Sequence, residues 1–137
     1  MKDFGEPKIK VVAMPSDTNP AGNIFGGWIL SQIDLAGAIC ARELVFERVV
    51  TISMKEVIFK EPVLVGDVVS FYARVTHIGT SSIRTQVEVI ASRLDKTGSS
   101  YCIPVTSAEV VYVSVDRACS KKIPVTEEKK RAYAQSH

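Results

Sequence analysis

The hydrophobic pattern of the chain predicts one long helix among several strands. The β-branched residues of Lys8–Met14 end at Pro15 and predict a first strand. In Trp28–Leu44, apolar and small residues recur every three or four positions, which predicts an amphipathic helix. The residues that share its predicted buried face are Ile29, Ile33, Gly37, Cys40 and Leu44.

After the helix, the helical spacing gives way to apolar runs and alternation, which predict four more strands. These cover Val49–Phe59, Val68–Ile78, Ile83–Arg93 and Ile103–Val115. Glycine-containing turns separate the strands, and the alternation in Thr85–Val89 indicates an antiparallel sheet with one solvated face. We therefore predict an α+β protein, a five-stranded antiparallel sheet wrapped around one long central helix.

Residues 120–137 are rich in charge, with two acidic residues before three basic ones. This order suits the dipole of a short terminal helix, but a disordered tail fits the composition equally well. We interpret residues 1–119 as one domain, because 137 residues leave no room for a second core.

Composition argues against nucleic acid and membrane as partners. The 17 Lys and Arg residues face 15 acidic residues, and a net charge of +2 is too small for a DNA-binding surface. No run approaches the roughly 18 apolar residues that cross a bilayer, and the first residues resemble no targeting peptide. Because the cysteines Cys40, Cys102 and Cys119 are odd in number and widely spaced, we expect reduced thiols packed as small apolar side chains. Reduced thiols predict a cytoplasmic protein.

Metal binding and serine-hydrolase chemistry find no support in the sequence. The two histidines, His77 and His137, have no partners at ligand spacing, so we expect His77 to be structural. Ser99 and Ser100 lack the G-x-S-x-G context of a nucleophilic serine. We expect neither a metal nor a cofactor.

The candidate chemistry lies around the start of the helix. Pro15–Gly27 is long for a simple connection, and long ordered loops are often functional. Gly26 and Gly27 could stabilise an oxyanion with backbone N–H groups that no side chain obstructs. Asp34 lies among apolar and small residues, where a carboxylate needs a partner or a function. It could act as a general base or attack a carbonyl carbon, and the sequence leaves both open.

Three segments together are similar to the signature of YciA-type acyl-CoA thioesterases. They are Ala13–Ala38, Val57–Asp67 and Gly79–Ile83. The first contains an Asn-x-x-Gly sequence, a Phe-Gly-Gly sequence and a helical aspartate, and the second contains a Pro-Val-x-Val-Gly-Asp turn. The resemblance covers residues 9–115, nearly the whole chain before the tail.

This resemblance implies a hotdog fold and the hydrolysis of acyl-CoA to a free acid and CoA. It also implies dimers whose sheets join around paired helices, and their assembly into a trimer of dimers, a homohexamer. By position it assigns catalysis to Asp34, polarisation of the carbonyl to Gly26 with Gly27, and positioning of the thioester or water to Asn19. Candidate contacts to CoA are Phe25, Gly79, Thr80, Ser81, Ser82 and Arg84. Further cations that could meet the CoA phosphates are Lys55, Lys60 and Arg93.

The spacing of Gly26 and Asp34 adds a constraint. Eight helical residues separate the two groups by about 12 Å, whereas a reacting carbonyl must lie about 3 Å from both. One helix therefore cannot present both groups to one carbon atom. We expect each active site to combine Gly26 of one subunit with Asp34 of another, so that a dimer is the minimal active unit.

Two other functions stay open on the sequence alone. A hydratase or dehydratase of acyl thioesters would need a histidine beside its carboxylate, and residues 15–44 contain none. A non-catalytic acyl-CoA sensor or carrier would bind CoA without releasing thiol. The sequence sets neither the acyl chain that is cleaved nor the depth of the tunnel that would select it.

Overall fold

The computed structural model describes residues 4–45, 48–119 and 121–136. Its elements are β1 (Ile9–Val12), α1 (Gly26–Arg42), β2 (Arg48–Phe59), β3 (Val68–Ile78), β4 (Ser82–Leu94), β5 (Ser100–Val115) and α2 (Glu127–Ser136). The strands form one antiparallel sheet in the order β1-β3-β4-β5-β2, and α1 packs against it. The predicted α+β architecture, a five-stranded antiparallel sheet around a long helix, is confirmed.

Helix α1 begins and ends two residues earlier than the predicted Trp28–Leu44. Glycines are tolerated in a first turn, because the N–H groups there need no partner within the helix. The entry is fixed from outside, where the Phe25 N–H donates to the Asp17 carbonyl at 2.8 Å. All five residues of the predicted buried face are buried. Trp28 packs edge-on against Phe71 of β3, with ring centroids 6.2 Å apart.

Four strands differ from their predicted bounds: β2 begins one residue earlier, β4 is one residue longer at each end, and β1 and β5 differ more. β1 is limited to Ile9–Val12, and β5 begins at Ser100 instead of Ile103. Pro104 lies inside β5, where the pairing with β4 shifts register between Val89 and Ile90. A proline is tolerated at such a bulge because the ladder already lacks a regular hydrogen bond there.

Strand β2 lies at one edge of the sheet and pairs only with β5 among the described strands. Its pairing is interrupted between Thr51 and Ser53 and again between Lys55 and Ile58. Within the second interruption, Glu56 has a φ of +54°, a backbone conformation that residues other than glycine and asparagine seldom adopt. The long edge strand is therefore bent in its middle.

Within the charged tail, residues Glu127–Ser136 form helix α2. Val125, before the helix, is buried in the core, and the Tyr133 hydroxyl lies 3.9 Å from the Cys40 sulfur. Ser120 and His137, which belong to the predicted tail, lie outside the described residues. The segment thus packs against the rest of the chain.

The three cysteines do not share one environment. Cys40 is buried, and this burial raises the pKa of its thiol. Cys102 and Cys119 are exposed, so the expectation that they pack as apolar side chains is wrong. Both lie next to turns, at the start of β5 and after its end, where the sheet offers no cover. In the described parts of the chain, no helix has the length and hydropathy to cross a membrane.

Candidate active site

The loop before α1 holds the side chain of Asn19 in one orientation. Its Oδ1 atom accepts hydrogen bonds from the backbone N–H groups of Ala21 at 2.9 Å and Asn23 at 3.1 Å. The same turn is closed by the Gly22 N–H, which donates to the Asn19 carbonyl at 3.0 Å, and Gly22 has a φ of +92°. Because only the amide nitrogen donates, Nδ2 is the atom that Asn19 can offer to a carbonyl.

Helix α1 begins without a side-chain cap. Its N-cap residue is Phe25, which makes no capping hydrogen bond to the N–H groups of Gly26 and Gly27. The packing of the described residues requires neither glycine: a Cβ at Gly26 would lie 3.5 Å from the Phe59 ring, and one at Gly27 would meet none of the described atoms within 4 Å. Glycine in a helix costs up to about 1 kcal/mol relative to alanine. The two positions therefore keep donors and open space at the positive end of the helix dipole.

Asn19 and Gly26 line one cleft of about 310 Å³. The remaining wall comes from the loop, from α1, from the end of β2 and from the turn that follows it; these residues are Asn23, Ile24, Ile29, Phe59, Lys60, Glu61, Pro62 and Val63. We call this space the donor cleft. Backbone and amide donors in a small, partly apolar cleft suit a carbonyl oxygen that gains negative charge.

Asp34 is half-buried on α1, and one of its carboxylate oxygens is held by hydroxyl groups. The Thr51 hydroxyl donates to Oδ1 at 2.6 Å. The Tyr112 hydroxyl lies 2.6 Å from the Asp34 backbone carbonyl oxygen and 3.2 Å from Oδ1. No hydrogen bond from the described residues reaches Oδ2. We call this arrangement the carboxylate site; it holds one oxygen and leaves the other for a ligand.

Sequence reasoning missed Thr51 and Tyr112. Tyr112 is fully buried, and its burial, followed by the nearby Asp34 carboxylate, raises its pKa, so the hydroxyl stays protonated. Tyr112 could have been found from the alternation of buried positions along β5, in which Ala108, Val110 and Tyr112 face the core. A tyrosine in such a row needs a hydrogen-bond partner. Thr51 carried no comparable signal, because threonine is common in strands.

The donor cleft and the carboxylate site are separate within one chain, since Asp34 does not line the cleft. Thr51 and Tyr112 pair near the start of β2, whereas Phe59, beside Gly26, is the last residue of that strand. This separation agrees with the spacing along the helix. The chain carries two half-sites at opposite ends of its edge strand.

Comparison with known proteins identifies the family. A family model for the thioesterase superfamily matches residues 21–97, a segment that contains Gly26, Gly27 and Asp34. The chain belongs to the thioesterase superfamily. The resemblance to YciA-type proteins is confirmed by the acyl-CoA thioester hydrolase YciA of Salmonella typhimurium. It is 44% identical over 82% of this chain and 84% of its own.

Solved structures extend the likeness of this thioesterase-superfamily chain to the hotdog fold. A hexameric hotdog-fold thioesterase of Campylobacter jejuni is 65% identical, with a TM-score of 0.93 over 96% of this chain and 98% of that one. A hexameric thioesterase of Yersinia pestis is 43% identical, with a TM-score of 0.78 over 90% and 97%. The hotdog fold implied by the sequence is confirmed.

In this superfamily member, most predicted CoA contacts lie at the same end of the sheet as Asp34. Ile83, directly after the β3–β4 hairpin, pairs with Tyr112 of the carboxylate site. A Cβ at Gly79, in the hairpin, would overlap the Ser82 hydroxyl, which would have to rotate away. Phe25 is the exception: it is exposed beside the donor cleft.

Hydrogen bonds fix the backbone of the hairpin. The Thr80 carbonyl accepts from the Val125 N–H at 2.7 Å, and the Ser81 carbonyl accepts from the Ser114 N–H at 2.8 Å. Arg84, on the strand that follows, lies with Nε 3.5 Å from Glu109 Oε1, which Lys55 also approaches at 3.6 Å. The roles of these residues toward CoA stay predictions.

A buried ion pair supports the wall of the donor cleft. The Arg93 guanidinium donates to both carboxylate oxygens of Asp67, with Nε at 3.0 Å and Nη2 at 2.8 Å, and Asp67 is only 2% exposed. Nη2 also donates to the Pro62 carbonyl at 3.1 Å, and the Leu64 N–H donates to Asp67 at 2.9 Å. The bonds to Asp67 raise the pKa of Arg93. The pair therefore holds the turn that places Pro62 and Val63 in the cleft.

A larger cavity of about 900 Å³ lies elsewhere, between the first described residues, β3 and α2. None of the catalytic or CoA-binding residues predicted from the sequence lines it. His77 is exposed on its wall. The chemistry of the smaller donor cleft is the better match to a thioester.

Proposed function

We propose that the chain hydrolyses acyl-CoA thioesters to a free carboxylic acid and CoA without a metal or cofactor. The observation that carries the proposal is the pair of half-sites, a cleft with free donors and a carboxylate with one free oxygen. The YciA relative, named for acyl-CoA thioester hydrolysis, supports the substrate class.

In the donor cleft, the thioester oxygen accepts a hydrogen bond from the Gly26 N–H, reinforced by Gly27 and the helix dipole. The Nδ2 atom of Asn19 supplies a further donor or positions the attacking water, because its Oδ1 atom is already engaged. These donors act most strongly when the carbonyl carbon becomes tetrahedral and its oxygen gains charge. The loss of one such donor raises a barrier by about 3–4 kcal/mol.

At the carboxylate site, Asp34 acts through Oδ2. As a general base it takes a proton from water while the water oxygen bonds to the carbonyl carbon. As a nucleophile it forms an anhydride that water then opens. In both cases the C–S bond breaks, water supplies the second oxygen of the acid, and CoA leaves as the thiol.

The two half-sites meet when two subunits pair along β2, which we propose as the dimer contact. The strand is 12 residues long, and its outer edge has no partner among the described strands. Antiparallel pairing about a twofold axis midway between Thr51 and Phe59 places each Thr51 beside the partner's Phe59. Asp34 is hydrogen-bonded to Thr51, and Gly26 lies against Phe59. Each dimer therefore gains two combined sites.

Exposed apolar side chains support this contact. On β2 they are Ile52 (57% exposed), Ile58 (54%) and Phe59 (51%); on α1 they are Leu35 (54%) and Ile39 (41%). Apolar groups concentrated on an edge strand and on a helix face are typical of a protein interface. The opposite edge of the sheet, β1, is only four residues long.

We further propose a trimer of such dimers. The solved relatives from Campylobacter jejuni and Yersinia pestis are described as hexameric, which supports a homohexamer for this chain. We place the protein in the cytoplasm, where a reducing environment keeps the exposed thiols of Cys102 and Cys119 free.

Thiol release from a panel of short, medium and long acyl-CoAs tests the proposed function. The expected result is release of one thiol per acid formed for at least one chain length, with no hydration of an enoyl-CoA. CoA binding without thiol release would instead support a sensor or carrier. Enoyl-CoA hydration would support the hydratase alternative, and either outcome would overturn the proposal.

A further inference from the structure

The contact between α1 and β5 depends on a missing side chain at Gly37. A Cβ at this position would overlap the Tyr112 hydroxyl and lie 3.0 Å from two of the ring carbons. Gly37 is buried in the middle of the helix, where glycine costs about 1 kcal/mol relative to alanine. Unlike Gly26 and Gly27, this glycine therefore has a packing reason within the chain.

The space left by Gly37 lets the Tyr112 hydroxyl reach Asp34. Tyr112 is fully buried, and its hydroxyl lies 2.6 Å from the Asp34 backbone carbonyl and 3.2 Å from carboxylate oxygen Oδ1. The carbonyl contact ties the helix backbone at Asp34 to the sheet, and the carboxylate contact adds to the bond from Thr51. The single hydroxyl proton is thus shared between the backbone carbonyl and the carboxylate of the same residue, and the hydroxyl restrains both.

We infer that Tyr112, admitted by Gly37, is a positioning residue that fixes Asp34 with Oδ2 free for the reaction, an inference that rests on the proposed function. A loosely held carboxylate spends less time in the reactive geometry, and small misplacements reduce a rate strongly. Tyr112 itself touches no reacting atom in this scheme. Its removal should therefore lower kcat more than it changes KM.

Tyr112→Phe tests the inference, because it keeps the ring and removes only the hydroxyl. We expect kcat for acyl-CoA hydrolysis to fall about tenfold, the value of one hydrogen bond to a charged group, with KM within about twofold of the wild type. The control is Thr85→Val. It removes another buried hydroxyl, one that donates to the Val110 carbonyl at 2.9 Å, and should leave both constants unchanged.

Two double variants separate positioning from simple loss of stability. In an Asp34→Asn background, Tyr112→Phe should lower kcat no further, because the group that it positions is gone. Gly37→Ala should lower kcat as Tyr112→Phe does. It should lower the melting temperature less in the Tyr112→Phe background than in the wild type, because the hydroxyl that the added Cβ overlaps is then absent.

The outcomes distinguish this inference from the proposed function. An active wild type whose kcat is unchanged by Tyr112→Phe would overturn the positioning role alone. Equal losses from Tyr112→Phe with and without Asp34 would also overturn it, since the hydroxyl would then act independently of the carboxylate. A wild type that releases no thiol would overturn the proposed function and this inference with it.

Discussion

Asp34→Asn is expected to lower kcat for acyl-CoA hydrolysis by about 10²–10⁴-fold, the usual contribution of a positioned general base. The amide keeps the size of the side chain, and its oxygen can still accept the bond from Thr51. It leaves an NH₂ group in place of Oδ2, which neither takes a proton from water nor attacks a carbonyl. Steady-state thiol release with a substrate that the wild type cleaves measures the loss.

Asp95→Asn is the matched control for this change. Asp95 lies in the β4–β5 turn, where its Oδ1 accepts hydrogen bonds from Thr97 and Ser99. Asp95 belongs to neither half-site, so the same change from a carboxyl group to an amide should leave kcat at the wild-type value. If Asp34→Asn were as active as Asp95→Asn, Asp34 would have no part in the chemistry.

Arg93→Met is expected to destabilise the fold by about 3 kcal/mol. The change leaves the Asp67 carboxylate, 2% exposed, without its cation, and removal of one partner of a buried pair costs about 3–5 kcal/mol. We expect the lower end, because the Arg93 side chain is 21% exposed and water can replace part of the interaction. Chemical denaturation, followed at one protein concentration, measures the free energy of unfolding.

Lys130→Met provides the comparison for Arg93→Met. Lys130 pairs with Glu127 on α2 at 3.4 Å, and the Glu127 side chain is 77% exposed. Loss of such a surface pair changes stability by about 0.5 kcal/mol or less. Equal effects of the two substitutions would show that the Asp67–Arg93 pair does not hold the turn beside the donor cleft.

Much of the fold was predictable because its hydrophobic periods are regular. The bounds of β3 match the prediction, and every residue of the predicted helix face is buried, since burial on one side imposes the spacing of apolar residues. The start of α1 was misplaced because glycines usually interrupt a helix. Here the loop and the turn after β2 fix the entry by backbone hydrogen bonds that leave no mark in the sequence pattern.

Other features could not be read from local patterns. The bend of β2 places Glu56 at a positive φ that its residue type disfavours, so no turn signal marks it. The exposure of Cys102 and Cys119 follows from strand ends and turns, which residue type does not specify. Tertiary packing decides both.

The residues of the candidate site also divide into those that the sequence predicted and those that it did not. Gly26 and Asp34 stood out because paired glycines and a carboxylate among apolar neighbours each indicate chemistry, whereas Asn19 was assigned by the resemblance alone. Thr51 and Tyr112 did not stand out, because their contacts to Asp34 join positions 17 and 78 residues apart. Such contacts are known only once the sheet order is known.

Complementation between two inactive variants tests the central claim, that each active site combines Gly26 of one subunit with Asp34 of another. Gly26→Pro removes the donor N–H but suits the helix, because proline is favoured at the first helical position and the ψ of Phe25, 133°, lies in the range found before proline. Gly26→Ala, which keeps the N–H, is its control. Gly26→Pro and Asp34→Ala should each be nearly inactive alone.

The deciding measurement is thiol release by the two inactive variants after they are co-refolded in equal amounts. Random pairing makes half of the dimers mixed, and each mixed dimer has one intact site of two, so we predict about a quarter of the wild-type activity. A mixture no more active than its separate components would contradict the shared site.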